Sequence, residues 1–300
     1  MCKPANRVFS LLLALIMILS MLPASVFAAS DTVKVEWNIT LGDSIGVNFR
    51  LTLSNPAATT VQLDGKEVAL GQPNAEGKYV VTCDKATGEM TDPVSLVITA
   101  NGEEVHNKTY TIREYADYIL GSADFDNEVK KLVRYMLNIG GKSQIYFVHN
   151  TEDLANAGIS VDEVIPQGDS NIASEDNLSG VGLYGATLLF KSKTALRYYF
   201  TVNAGYSAAS YTFQVGDKTY EPQAKGGKWY LEIDGINPQN LADSYTVVVS
   251  GEGGKTLTAT YSPLTYIVRM YNKDNASQAL KDLVKAMYTT TWRLWNIRII

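Results

Sequence analysis

One apolar pattern occurs twice, and the spacing of its copies constrains the fold more than anything else in the chain. "LVRYMLNIGGKSQIYF", from Leu132 to Phe147, returns 151 residues later as "LVKAMYTTTWRLWNIRII", from Leu283 to Ile300. The same offset carries Tyr110 onto Tyr261, Tyr115 onto Tyr266 and Met136 onto Met287. A constant offset over roughly thirty residues, with the apolar stripe reproduced, is the signature of a duplicated module. The expected architecture is therefore two tandem related modules rather than one large core.

The composition of each module follows from its periodicity. In "VKVEWNITL" and "VNFRLTLS" apolar and polar residues alternate, which predicts two strands with one face buried and one wet. "GDSIG", Gly42 to Gly46, supplies a hairpin loop between them. Short strands are expected again around 61–68, 79–83 and 94–100, separated by Asp-Gly, Asn-Gly and Pro punctuation. The period then changes. Val129, Leu132, Val133 and Met136 fall at helical spacing, Asp126 is placed to cap the helix, and Gly140-Gly141 is expected to end it. "KSQIYFVHN" is then read as a second short helix, closing a helical hairpin whose Ile145, Tyr146 and Phe147 cover apolar surface. The fold class is α+β, with each module a small antiparallel β-sandwich followed by a helical hairpin.

The expected divisions are a signal segment at 1–28, a first module at 29–155, a linker at 156–180 rich in Asp, Ser, Asn and Gly, and a second, diverged copy at 181–288. Residues 289–300 depart from the repeat. A single inserted base in one back-translation turns "TTTWRLWNI" into "NYNMAAMEY", which aligns on "NIGGKSQIY", so this stretch is expected to be an aberrant, frameshifted tail. Its stripe at Leu280, Leu283, Val284 and Met287 would then be only partly buried.

The opening residues set the compartment. Lys3 and Arg7 precede the apolar run Phe9 to Leu22, and small residues at Val26 and Ala28 mark a cleavage site, as in a secretory signal peptide. The run is shorter than the roughly 20 residues that span a bilayer. The protein is expected outside the cell or at its surface, with no membrane insertion after cleavage. The mature chain keeps one cysteine, Cys83, and so holds no internal disulfide. Removing Lys3 and Arg7 from the 26 basic residues leaves 24 against 31 acidic ones, a formal charge of −7. That balance excludes nucleic acid as the main partner and leaves extracellular protein or polysaccharide.

"SIGVNFRLTL", "REYADYIL" and "LVRYMLNIGGKSQIYF" resemble a recurrent, uncharacterised module of secreted and surface proteins of Gram-positive anaerobic bacteria. The resemblance implies a multi-domain extracellular chain and carries over no catalytic residue, because the module has no assigned activity. The chain departs from that pattern in having no recognisable sortase signal, dockerin or wall-binding repeat.

Candidate chemistry is sparse. "GDSI" around Ser44 is similar to the nucleophile block of SGNH-type esterases, but His106 and His149 stand in no Asp-x-x-His, and nucleophilic catalysis needs an oriented base. "DFDNEV" from Asp124 has Val129 where a calcium loop needs glycine, so capping is the simpler account. No metal site and no cofactor are expected. Eighteen tyrosines, with "YY" at Tyr198-Tyr199 and "WY" at Trp229-Tyr230, leave glycan stacking as the alternative function. Tyr199 and Trp229 are the candidate ligand-binding residues, set against the ordinary role of strand aromatics in filling cores. The sequence thus reads as a non-catalytic binding or structural protein of unknown ligand, with glycan binding second and an esterase using Ser44 a distant third.

Overall fold

The computed structural model describes residues 33–41, 45–190, 194–237 and 240–297. The expected signal segment and Ser44 lie outside the described residues. The chain is mixed α and β, mostly antiparallel sheet with four α-helices among the described residues, and divides into two compact units, up to Val161 and from Asp162 onward.

In the first unit the alternating stretches form β1 (Val33–Leu41) and β2 (Ile45–Leu53), paired in register from Val33↔Leu53 to Leu41↔Ile45. They continue into β5 (Tyr79–Lys85), giving the sheet β1-β2-β5. β3 (Thr59–Leu63), β4 (Lys66–Val68), β6 (Val94–Ala100) and β7 (Glu103–Tyr110) make a second sheet in the order β4-β3-β6-β7. The helices are α1 (Ile112–Gly121) and α2 (Asn127–Phe147). One core gathers Val47, Phe49 and Leu51 of the first sheet, Val61, Leu96 and Ile98 of the second, and Ile119, Val133 and Leu137 of the helices. Burying each such side chain contributes on the order of 1.5–3 kcal/mol.

The helical hairpin of this unit differs from the sequence expectation. Gly140-Gly141 does not end a helix; α2 runs unbroken from Asn127 to Phe147, and the hairpin partner is α1. The glycines serve close approach instead. A Cβ at Gly140 would sit 2.6 Å from the Met90 sulfur, and one at Gly141 would collide with the Asn156 side chain. The last turns also bury a different face. Ser143 and Gln144 point inward, whereas Ile145 and Phe147 are exposed. Gln144 is held by Ala155 N–H, 2.7 Å from its Oε1, and by the Asp153 carbonyl, 2.8 Å from its Nε2.

The second unit contains β8 (Ala173–Asp176), β9 (Val181–Phe190), β10 (Thr194–Val202), β11 (Thr212–Val215), β12 (Lys218–Tyr220), β13 (Gln223–Lys225), β14 (Lys228–Ile233), β15 (Tyr245–Ser250) and β16 (Thr256–Tyr261). Its helices are α3 (Pro263–Asn272) and α4 (Gln278–Ile297). The sheet orders are β13-β14-β10-β9 and β12-β11-β15-β16-β8. These repeat the two orders of the first unit with one strand added at an edge of each.

Residues of both the tail and the segment expected as a linker pack within the two units. Residues 289–297 continue α4 as regular helix, and of the stripe Leu283, Val284 and Met287 are buried, at 1%, 0% and 7% exposure, while Leu280 is partly buried. Thr289, Thr290 and Thr291 are buried too, each hydroxyl donating to the carbonyl four residues back in Lys285, Ala286 and Met287. That back-bonding lets threonine sit inside a helix without an unsatisfied polar group. The segment expected as a linker is divided between the units. Ala155 and Ile159 pack on the first core. Val164 donates to Thr289 Oγ1 at 2.9 Å, and β8 pairs with β16.

Candidate functional site

The two residues singled out by composition lie on opposite faces of one sheet. β10 and β14 pair Tyr199 with Tyr230 and Phe200 with Trp229. Successive side chains on a strand alternate in direction, so Tyr199 and Tyr230 share the outer face while Trp229 turns with buried Phe200 toward the interior. One composite aromatic surface is thus excluded, and two separate surfaces remain.

Trp229 lines a cleft of about 490 Å³. Its walls come from the β11–β12 hairpin, the 3-10 turn Ala208–Ser210 and the end of β14. The hairpin is short because Gly216, at φ +57, makes the turn, and its register places Phe213 opposite Tyr220. Phe213 is fully buried against Phe200, with ring centroids 5.3 Å apart, which anchors that wall. Tyr211 is tied down by its hydroxyl, which donates to the Ser179 carbonyl at 2.8 Å. Tyr211, Tyr220 and Trp229 supply flat rings, while Ser207, Thr212, Thr219 and Glu221 supply hydroxyls and a carboxylate. Burial and then the nearby Asp234 charge push the Tyr220 phenol above its usual range, so it remains a proton donor. Flat apolar rings beside hydroxyl and carboxylate groups suit a ligand with an apolar face and a hydroxylated rim.

On the outer face Tyr199 is half-buried. Arg197, only 7% exposed, donates to its hydroxyl from Nη1 at 3.2 Å. The guanidinium also holds Glu232 Oε2 from Nε at 3.0 Å and Nη2 at 2.5 Å, and lies 4.1 Å from the Tyr230 ring centroid. Burial alone would depress this guanidinium, but the hydrogen bonds with Tyr199 and Glu232 outweigh it and hold it above its ordinary value. A charge pair so enclosed fixes both tyrosine rings in place.

The histidines have structural partners. His106 Nε2 meets the Tyr110 hydroxyl at 2.9 Å, and His149 Nε2 meets the Asp92 carboxylate at 2.8 Å. The second pair was not legible in the sequence, where 57 residues separate its members. Asp126 accepts from Val129 N–H at 2.8 Å and caps α2. Cys83 is a free, partly buried thiol whose pKa burial raises, which favours the protonated form. Among the described residues no group of three or more His, Cys, Asp or Glu side chains gathers in a metal-binding cluster, and no helix is long and apolar enough to cross a membrane. Compared with known proteins, the chain matches no family model, and none of the curated proteins matches its sequence.

Proposed function

We propose that the protein is a secreted or cell-surface, non-catalytic binding protein made of two related modules, each a β-sandwich followed by a helical hairpin, and that its second module takes a glycan in the Trp229 cleft. Duplication is supported by hydrogen bonds repeated at the offset of 151. Arg113 N–H donates to the Met90 carbonyl and Leu264 N–H to that of Leu241. Thr111 caps α1 through Glu114 N–H, and Ser262 caps α3 through Thr265 N–H. Asp126 accepts from Val129 N–H as Ser277 accepts from Leu280 N–H. The sandwich is supported by the sharing of one core between two antiparallel sheets in the first unit. The N-terminal apolar run supports the location.

The observation that carries the ligand class is the cleft itself, where three aromatic rings converge with hydroxyls and Glu221 in one concavity. The test is retention of the mature protein on a panel of insoluble polysaccharides. Trp229→Ala is expected to weaken retention on at least one of them while leaving the melting temperature within a few degrees of wild type. Retention unchanged by that substitution, or lost only with the fold, returns Trp229 to a packing role. Turnover of an ester panel that disappears in Ser44→Ala would instead favour the esterase reading.

A further inference from the structure

The outer face of the sheet β13-β14-β10-β9 carries a charge arrangement that the fold does not need. Lys225 and Lys228 stand directly opposite one another across the turn made by Gly226 and Gly227, at φ +58 and +72. Like charges facing each other across a hairpin are unfavourable. Among the described residues no carboxylate forms an ion pair with either lysine. An exposed edge lysine also blunts strand addition, a role open to Lys225 on β13. That role does not account for Lys228, whose ammonium lies 4.2 Å from the centroid of the Tyr184 ring.

The first unit shows what the same face looks like when its lysine is satisfied. There Glu36, Arg50 and Val80 lie side by side across β1, β2 and β5, and Lys78, two residues before Val80, binds Glu36 at 2.8 Å and Glu76 at 3.1 Å. In the second unit Gly185, Tyr199 and Tyr230 occupy the corresponding register, and Lys228 stands two residues before Tyr230. Where the carboxylates stood there is a glycine at each place, Gly185 and Gly226, and a bulged Tyr184. The register passes from Tyr199↔Gly185 to Phe200↔Leu183, which leaves Tyr184 as the extra residue, 63% exposed. A Cβ on Gly185 would meet nothing within 4 Å, so open floor lies between the Tyr184 and Tyr199 positions.

We propose that this face binds an acidic polysaccharide, its sugar rings resting on Tyr184, Tyr199 and Tyr230 and its carboxylate or sulfate groups meeting Lys225 and Lys228. Charge complementarity selects the occupant. In a chain of net charge −5, this is a patch of two cations without a carboxylate partner among the described residues, and the neighbouring Glu232 is taken up by Arg197. The Tyr199 and Tyr230 rings are held in place before binding by Arg197, so little ordering opposes stacking on them. The site stands apart from the Trp229 cleft, which opens on the other side of the same sheet, and does not depend on it.

The test uses the mature full chain in affinity electrophoresis with polygalacturonate, its methyl-esterified form and chondroitin sulfate. Retention is expected on at least one of the two acidic polymers, falling as salt is raised, with none on the esterified backbone. The double variant Lys225→Gln/Lys228→Gln is expected to lose about tenfold in affinity, the size of two exposed charge contacts. Its melting temperature should not fall, because it removes a repulsive pair. Tyr184→Ala should lose affinity likewise. The proposal is overturned by no retention on either acidic polymer, by retention that survives both variants, or by polyglutamate or single-stranded oligo(dT) competing as well as the glycan.

Discussion

Gly141, in the middle of α2, lies so close to the side chain of Asn156 that no β-carbon fits between them. The contact joins the helix to the segment that follows it. Asn156 Nδ2 reaches Asn138 Oδ1 at 3.4 Å one helical turn earlier, and the neighbouring Ala155 packs in the core. Gly141→Ala should therefore destabilise the first unit by about 1–3 kcal/mol, the usual cost of overpacking, even though alanine favours helix by about 1 kcal/mol. Gly140→Ala should act in the same direction through Met90 and Ala155. Urea unfolding followed by circular dichroism measures both. A rise in midpoint would mean that helix propensity governs these sites.

The threonines of α4 make a paired comparison. Thr289 Oγ1 accepts from Val164 N–H outside the helix, whereas the partner of Thr290 Oγ1 is a carbonyl of its own helix. Thr289→Val leaves a half-buried backbone donor without its acceptor and should cost about 1–3 kcal/mol. Thr290→Val removes only a back-bond and should change stability by less than about 1 kcal/mol. Thermal melts of the two variants, compared directly, test the asymmetry.

Much of the strand architecture was legible because alternation is a local property. Val33 to Leu53 announces a hairpin, and the register fulfils it pair by pair. The long helices were misread for two different physical reasons. A glycine pair is ambiguous between a helix end and a close approach, and only the positions of Met90 and Asn156, far away in sequence, decide between them. Three successive threonines have low intrinsic helix preference, and what retains them here is tertiary burial together with bonds to their own helix. The site was legible only in part. Adjacent aromatics such as Tyr198-Tyr199 must point to opposite faces, but which ring joins which partner depends on cross-strand register, which a single strand does not encode.

His106 predicts a pH dependence. Burial, and then the charge of Lys108, lower its pKa below the ordinary 6.5. Between the lowered folded value and 6.5 the unfolded chain binds more protons, so stability rises with pH through that window and is lost as pH falls through it. His106→Gln should flatten the stability profile in that range. A slope that persists in the variant would assign the effect to other groups.

Glu36 acts at lower pH. Its hydrogen bond from Lys78 holds the carboxyl below its ordinary value of 4.5, with Lys34 assisting and burial opposing. The depressed value means that its contribution is present above about 4.5 and lost as pH falls through the folded pKa. Glu36→Gln should lower the stability of the first unit by under about 1 kcal/mol at neutral pH and by nothing in strong acid. Titrating urea midpoints of wild type and variant against pH checks both limits.

The division of residues 156–180 also decides where the chain can be cut. Ile159 belongs to the first core, and Val164 is bonded to Thr289. The tolerant joint is therefore a few residues around Val161 and Asp162, not the whole polar stretch. A protease or a gene fusion entering there leaves both hydrophobic interiors intact. A recombinant second half begun at residue 181 would lose the edge strand that covers β16 and the acceptor's partner at Val164. Its exposed ladder of backbone donors and acceptors would then be free to recruit strands from neighbouring molecules, and aggregation of that fragment would report a misplaced boundary rather than an unstable domain.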